Sequence, residues 1–150
     1  MISIDQLKKL RQKTGAGVMD CRKALEETKG DEKKAEDLLQ KWGIEKSEKK
    51  ADRQTKAGII DSYIHGGKVG VMLELLCETD FVAKTDDFKN LSHELCLQIA
   101  SMNPKDVKTL ESQEYIRDPK IIIRDLIKQT IGKLGENITV SRFTRYQLGG

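Results

Sequence analysis

Hydrophobic and polar positions follow two different periods along this chain, and the switch falls near Gly58. Before it, apolar residues recur every three or four positions, the spacing of an amphipathic helix. Ile4, Leu7 and Leu10 fall on one face of a first helix that Ser3 or Asp5 can cap, and Gly15-Ala16-Gly17 breaks it. A second helix from Val18 carries Met19, Ala24 and Leu25, with Gly30 placed to end it in a left-handed cap. Asp31 can cap a third, where Ala35, Leu38, Leu39 and Trp42 repeat at helical spacing and Gly43 closes it. The pattern predicts a three-helix module over residues 1–43.

Residues 44–57 are nearly devoid of apolar positions and alternate acids with bases. Charge pairs three and four apart predict a solvated linker helix there rather than a basic patch. From 58 to 150 the chain reads as a second module. Ile59–His65 and Val69–Glu78 are strand-like, and Gly66-Gly67 between them reads as a tight hairpin turn. Val69, Val71, Leu73, Leu75 and Cys77 share one face of the second strand, which should be buried, while Met72 and Leu76 give the other face apolar character. A helix over Asp86–Met102 follows, with Phe88, Leu91, Leu95 and Ile99 in a stripe. Pro119 suits the first turn of another helix, striped by Ile123, Leu126, Ile127, Thr130, Ile131 and Leu134. Ile138–Leu148 closes as a strand whose alternation breaks at Arg142–Thr144. The fold class is α+β: a helical module, a linker helix, and a small antiparallel sheet flanked by helices.

Composition narrows the function classes. Charged residues make up 34% of the 150 and nearly cancel, leaving a net charge of +3. No long basic face interleaved with aromatics exists, so direct nucleic-acid binding is not expected. No apolar run approaches the ~20 residues of a membrane span. The first residues, Met1-Ile2-Ser3-Ile4-Asp5, lack the basic and apolar regions of a secretory signal, and a cytoplasmic location is expected.

Catalytic chemistry finds no foothold. The three cysteines, Cys21, Cys77 and Cys96, stand at no metal-ligand spacing from one another or from His65 and His93, so no metal or other cofactor is expected. Gly15 and Gly17 are preceded by no strand and followed by no Gly-Lys-Ser/Thr, which argues against a phosphate-binding loop. Asp61 and Ser62 are neighbours on a strand and point to opposite faces, so they build no triad with His65. The distinctive local feature is Thr79-Asp80-Phe81-Val82, a polar pair and an apolar pair at a strand-to-helix corner. Such corners display working residues on a rigid scaffold. Read locally, Phe81 is either a contact tip, or core beside an Asp80 that caps the next helix.

Leu10–Leu25 resembles the amino-terminal signature of the elongation factor Ts family, Glu74–Ala83 its second signature, and Lys133-Leu134-Gly135-Glu136-Asn137-Ile138 a third stretch. The resemblance spans Leu10 to Ile138 in family order. It implies a guanine nucleotide exchange factor that is not an enzyme and acts on elongation factor Tu, a GTPase that delivers aminoacyl-tRNA. Thr79, Asp80, Phe81 and Val82 match the segment that disturbs the partner's magnesium site, and Val18, Met19, Arg22, Leu134 and Gly135 match partner contacts. Arg22 departs from the family's usual Lys and keeps only the charge. The helical module resembles ubiquitin-associated folds, so a plain adaptor with a dimerisation domain is the alternative. Longer members carry two copies of the sheet-containing core; a single copy here implies a homodimer through the second module.

Overall fold

The structure, a computed structural model, describes residues 2–150. Helix α1 (Ile4–Thr14) starts at Ser3, whose hydroxyl accepts the Gln6 N–H while the Gln6 side chain accepts the Ser3 N–H. This reciprocal cap satisfies two otherwise orphaned donors. Gly15 ends the helix at φ 69°, a left-handed conformation that a side chain would strain. Helix α2 (Val18–Glu27) and helix α3 (Glu32–Glu48) complete a trio around Leu10, Cys21, Ala24, Leu25, Ala35 and Leu39. Ile4, expected on the packed face, is exposed.

Gly43 does not end α3, and no separate linker helix follows. The third helix runs on to Glu48, and residues 49–56 form turns and extended chain. The expected boundary at residue 43 therefore lies inside a helix. The reason is packing: α3 lies against helix α7 (Ile123–Leu134), with Gly43 facing Gly132. A Cβ on Gly132 would run into the Gly43 carbonyl and come within 2.7 Å of its Cα. Here glycine lets two helix backbones touch.

The second module is built on a three-stranded antiparallel sheet in the order β1-β2-β5: β1 (Ala57–His65), β2 (Val69–Cys77) and β5 (Thr139–Gln147). Both hairpin glycines, Gly66 and Gly67, have positive φ, as the turn requires. Val71, Leu73, Leu75 and Cys77 are buried as the alternation predicts. They lie beneath helix α5 (Asp86–Met102), whose stripe Phe88, Leu91, Leu95 and Ile99 is fully or almost fully enclosed. Arg145 of β5 donates to the Ala100 carbonyl near the end of α5, at 3.0 and 3.2 Å. The broken alternation in β5 is a bulge: Arg142 pairs with Glu74 and Val140 with Leu75, leaving Ser141 as the extra residue.

Four elements differ from expectation. Short helices α4 (Asp80–Ala83) and α6 (Val107–Ser112) appear, and β3 (Glu114–Tyr115) pairs with β4 (Asp118–Ile122). Pro119 sits in β4 rather than in a first helical turn. A two-stranded ribbon is all edge, where a residue without an N–H costs no ladder bond. The α7 helix begins at Ile123, and the Asp125 carboxylate accepts the Ile122 N–H at 3.4 Å.

Candidate functional site

Phe81 is 81% exposed, on the first turn of α4. An aromatic ring held in water forfeits the free energy of burial, roughly 1.5–3 kcal/mol for a large apolar side chain. Its neighbours in the corner have other tasks. Val82, expected at the partner surface with Phe81, is 5% exposed and packs into the sheet–helix core. Since consecutive helical residues point about 100° apart, a buried Val82 anchors the turn that turns Phe81 outward. Asp80 is exposed in the first turn and is not the cap; Thr79 is, its hydroxyl accepting the Val82 N–H at 3.3 Å.

The far end of α4 is also tied. Thr85 donates its hydroxyl to the Val82 carbonyl at 2.7 Å and accepts the Phe88 N–H at 3.3 Å, so it closes α4 and caps α5. A helix of four residues cannot sustain itself, because nucleation is its costliest part. These side-chain bonds supply what the helix lacks.

The chain that leaves α7 lies against this corner. Leu134 is half-buried against the core, and Gly135 is exposed, ending the helix at φ 79°. Glu136 accepts the N–H groups of Glu78 and Thr79 and the Thr79 hydroxyl, at 3.1, 2.9 and 2.7 Å. Glu78 in turn accepts the Asn137 N–H at 2.6 Å. The Asn137 amide donates to the carbonyls of Ala51 and Arg53 at 3.3 and 2.9 Å, which ties residues 49–56 to the same place. Sequence reading assigned no role to Glu136 or Asn137. Polar residues after a helix-ending glycine look like a solvated turn, and no periodicity distinguishes them.

The helical module presents its own apolar tip to solvent. Met19 is 73% exposed, Val18 is exposed beside it, and Arg22 one turn on makes an open ion pair with Glu26 at 3.4 Å. Met19 is therefore not core, although it belongs to the helical stripe. This tip and the Phe81 corner belong to one framework, because Lys133 lies under Gly15 and its ammonium reaches Asp87 at 3.0 Å. The structure thus gathers the α1–α2 turn, the Thr79 corner and residues 49–56 around the carboxyl end of α7.

A cleft of about 470 Å³ between the modules is lined by Trp42, Gln129, Thr130 and three lysines. Those lysines are paired, Lys13 with Glu36, Lys46 with Asp20 and Lys133 with Asp87, so among the described residues the cleft has no lysine left free for an anion. The thiols of Cys21, Cys77 and Cys96 are buried, and desolvation pushes each up, that of Cys96 to about 12. Such thiols are poor nucleophiles at neutral pH. Among the described residues no group of three His, Cys, Asp or Glu could hold a metal ion. No described helix is long and apolar enough to cross a membrane.

A family model described as "Elongation factor TS" matches residues 78–150, which include α4 and the α7–β5 turn. Similar curated proteins are each called "Elongation factor Ts". The one from Thermoanaerobacter sp. strain X514 is 41% identical over 195 positions, covering 99% of this chain and 96% of that protein. Those from Thermotoga neapolitana (43%) and Oleidesulfovibrio alaskensis (44%) match 99% of this chain and 98% of theirs. An alignment of 195 positions against a chain of 150 leaves at least 45 positions of the first relative with no counterpart here. On similarity that runs through both modules and is continuous with the corner just described, the chain belongs to the elongation factor Ts family.

Proposed function

We propose that this chain is a guanine nucleotide exchange factor that binds GDP-bound elongation factor Tu during translation elongation and releases its GDP. The observation that carries the reading is Phe81, an exposed aromatic on a short helix tied at both ends. A ring displayed at a fixed angle suits insertion into an apolar gap between partner helices near the bound magnesium. Mg²⁺ demands near-octahedral oxygens at about 2.0–2.1 Å and tolerates little distortion. Shifting the elements that hold it weakens its bridge to the GDP phosphates. Asp80, exposed beside Phe81, bonds polar groups of the partner surface and Thr79 holds the turn, while buried Val82 contributes as the anchor.

The thermodynamics require no bond-making by this chain. A factor that binds nucleotide-free Tu more tightly than GDP-bound Tu must loosen GDP by the same factor. Val18, Met19 and Arg22, on a module read as ubiquitin-associated-like, supply affinity through a second contact, and Leu134 and Gly135 a third beside the corner. Stopped-flow release of a fluorescent GDP from Tu tests this. Acceleration that saturates with the concentration of this chain is expected; binding without acceleration would identify an adaptor instead.

We also infer that the chain works as a homodimer through the uncovered face of its sheet. Helices cover the face that carries Leu73 and Leu75, but Ile60, Ile64, Met72 and Tyr146 on the other face are exposed. Exposed apolar surface of this kind marks association. A two-fold axis makes such a face self-complementary with no further sequence. Sedimentation equilibrium at micromolar concentration should give twice the 17.0 kDa of one chain, and Met72→Lys should halve the mass.

A further inference from the structure

We propose that Glu136 is a positioning residue for exchange, acting through Thr79 to fix the direction in which Phe81 leaves the surface. The proposal rests on the reading of Phe81 as the inserted group. An ionised carboxylate only accepts hydrogen bonds, so the Thr79 hydroxyl, 2.7 Å from the Glu136 Oε2, must donate to it. With its one proton committed, that hydroxyl can face the Val82 N–H only with a lone pair, the arrangement seen at 3.3 Å. Glu136 therefore sets the rotor that caps α4. Its other oxygen, Oε1, takes the N–H groups of Glu78 and Thr79, the last backbone donors before the helix. The carboxylate holds both the entry of the chain into the turn and the cap on the turn itself.

The tie is reciprocal. Glu78 accepts the Asn137 N–H at 2.6 Å and lies 3.7 Å from the Arg53 guanidinium, so each acid satisfies backbone from the other's loop. Hydrogen bonds to ionised acceptors are roughly twice as strong as neutral ones. Glu136 is half-buried, where water competes less well than at an open surface. An amide in its place has one acceptor oxygen. It can keep the backbone N–H groups, but its NH₂ would then donate toward the Thr79 hydroxyl and turn that rotor round.

The test compares Glu136→Gln, Phe81→Ala, the double variant and Thr79→Val in full-length chain, with Tu carrying fluorescent GDP. Glu136→Gln is expected to keep the fold by circular dichroism and to lower the saturating rate of GDP release about tenfold. In the Phe81→Ala background the same change should have no further effect. Thr79→Val, which keeps the shape and removes the hydroxyl, should reproduce the loss. Amide exchange at Thr79 and Val82 should quicken in Glu136→Gln. A saturating rate unchanged by Glu136→Gln while Phe81→Ala slows exchange would overturn the proposal. So would an equal loss in both backgrounds, which would mark a general weakening of the fold. If Phe81→Ala leaves exchange intact, the reading of Phe81 fails first, and the proposal falls with it.

Discussion

Phe81 and Met19 are two exposed apolar tips in one molecule, and they are mounted differently. The Phe81 turn has a threonine at each end, and a carboxylate from a distant segment sets the first of them. Met19 lies in the opening turn of α2, where Gly17 is the cap residue and offers no side-chain acceptor. One tip is held by side-chain bonds at both ends of its helix, and the other stands on a helix start with no side-chain cap. The side chains suit the mounts. A phenyl ring is rigid and rewards a single entry direction, whereas an unbranched thioether reshapes itself to the surface it meets. On the proposed function, the difference would separate force from grip: a fixed tip for the step that disturbs the partner, and a second tip for adhesion.

The sharpest way to break this comparison is Phe81→Ala. Buried interface aromatics carry about 2 kcal/mol or more, so the saturating rate of GDP release should fall about 30-fold. The melting temperature should hardly move, because Phe81 contributes little to the core. A large drop in melting temperature with exchange preserved would reverse the assignment of function and packing.

Gly132→Ala comes next and acts on the joint between the modules. The added methyl meets the Gly43 backbone, which cannot rotate away as a side chain can. Overpacking of this sort costs roughly 1–3 kcal/mol, and the melting temperature should fall by about 2–4 °C for each. Affinity for nucleotide-free Tu, measured by titration calorimetry, should weaken as the Met19 tip moves relative to the Phe81 corner.

Met19→Ala should separate grip from force. Affinity is expected to drop about fivefold, ~1 kcal/mol, with the saturating exchange rate unchanged. A fall in the saturating rate instead would mean that both tips do the same work.

The smallest effect is expected from Gly17→Ser. The Gly17 backbone (φ −65°, ψ 157°) is one a serine adopts, and a Cβ there meets nothing within 4 Å. A serine cap is worth a few tenths of a kcal/mol over glycine. Thermal melting should rise slightly, and Tu affinity should fall if compliance at this tip matters.

Much of the fold was legible in the residues, because the second module obeys simple periods. Asp86–Met102 emerges with the expected limits, and Val71 to Cys77 are buried on the face the alternation assigns. Local pattern failed where tertiary packing overrides it. Gly43 resembles a stop signal, yet Gly132, 89 positions away, turns it into a contact inside a continuous helix. Pro119 resembles a helix start, yet the short ribbon with Glu114–Tyr115 claims it. At the site, Thr79 and Phe81 stood out as a corner. Val82 shares the segment that resembles the family's, yet one helical step sends it inward. Glu136 lies 57 positions from Thr79, and only the fold brings an acid to a capping hydroxyl.

The Gly43–Gly132 crossing also works as a fulcrum. Gly43 lies eleven positions beyond Glu32, where α3 begins, and at 1.5 Å per residue that arm is about 16 Å long. A tilt of about 10° at the crossing would swing the start of α3 by about 3 Å. That is the length of a hydrogen bond, far more than a docked surface tolerates. A single methyl added to Gly132 thus acts on the joint between helices, without touching Phe81 or Met19. A screen of random variants for loss of exchange should recover substitutions there, beside those at Phe81.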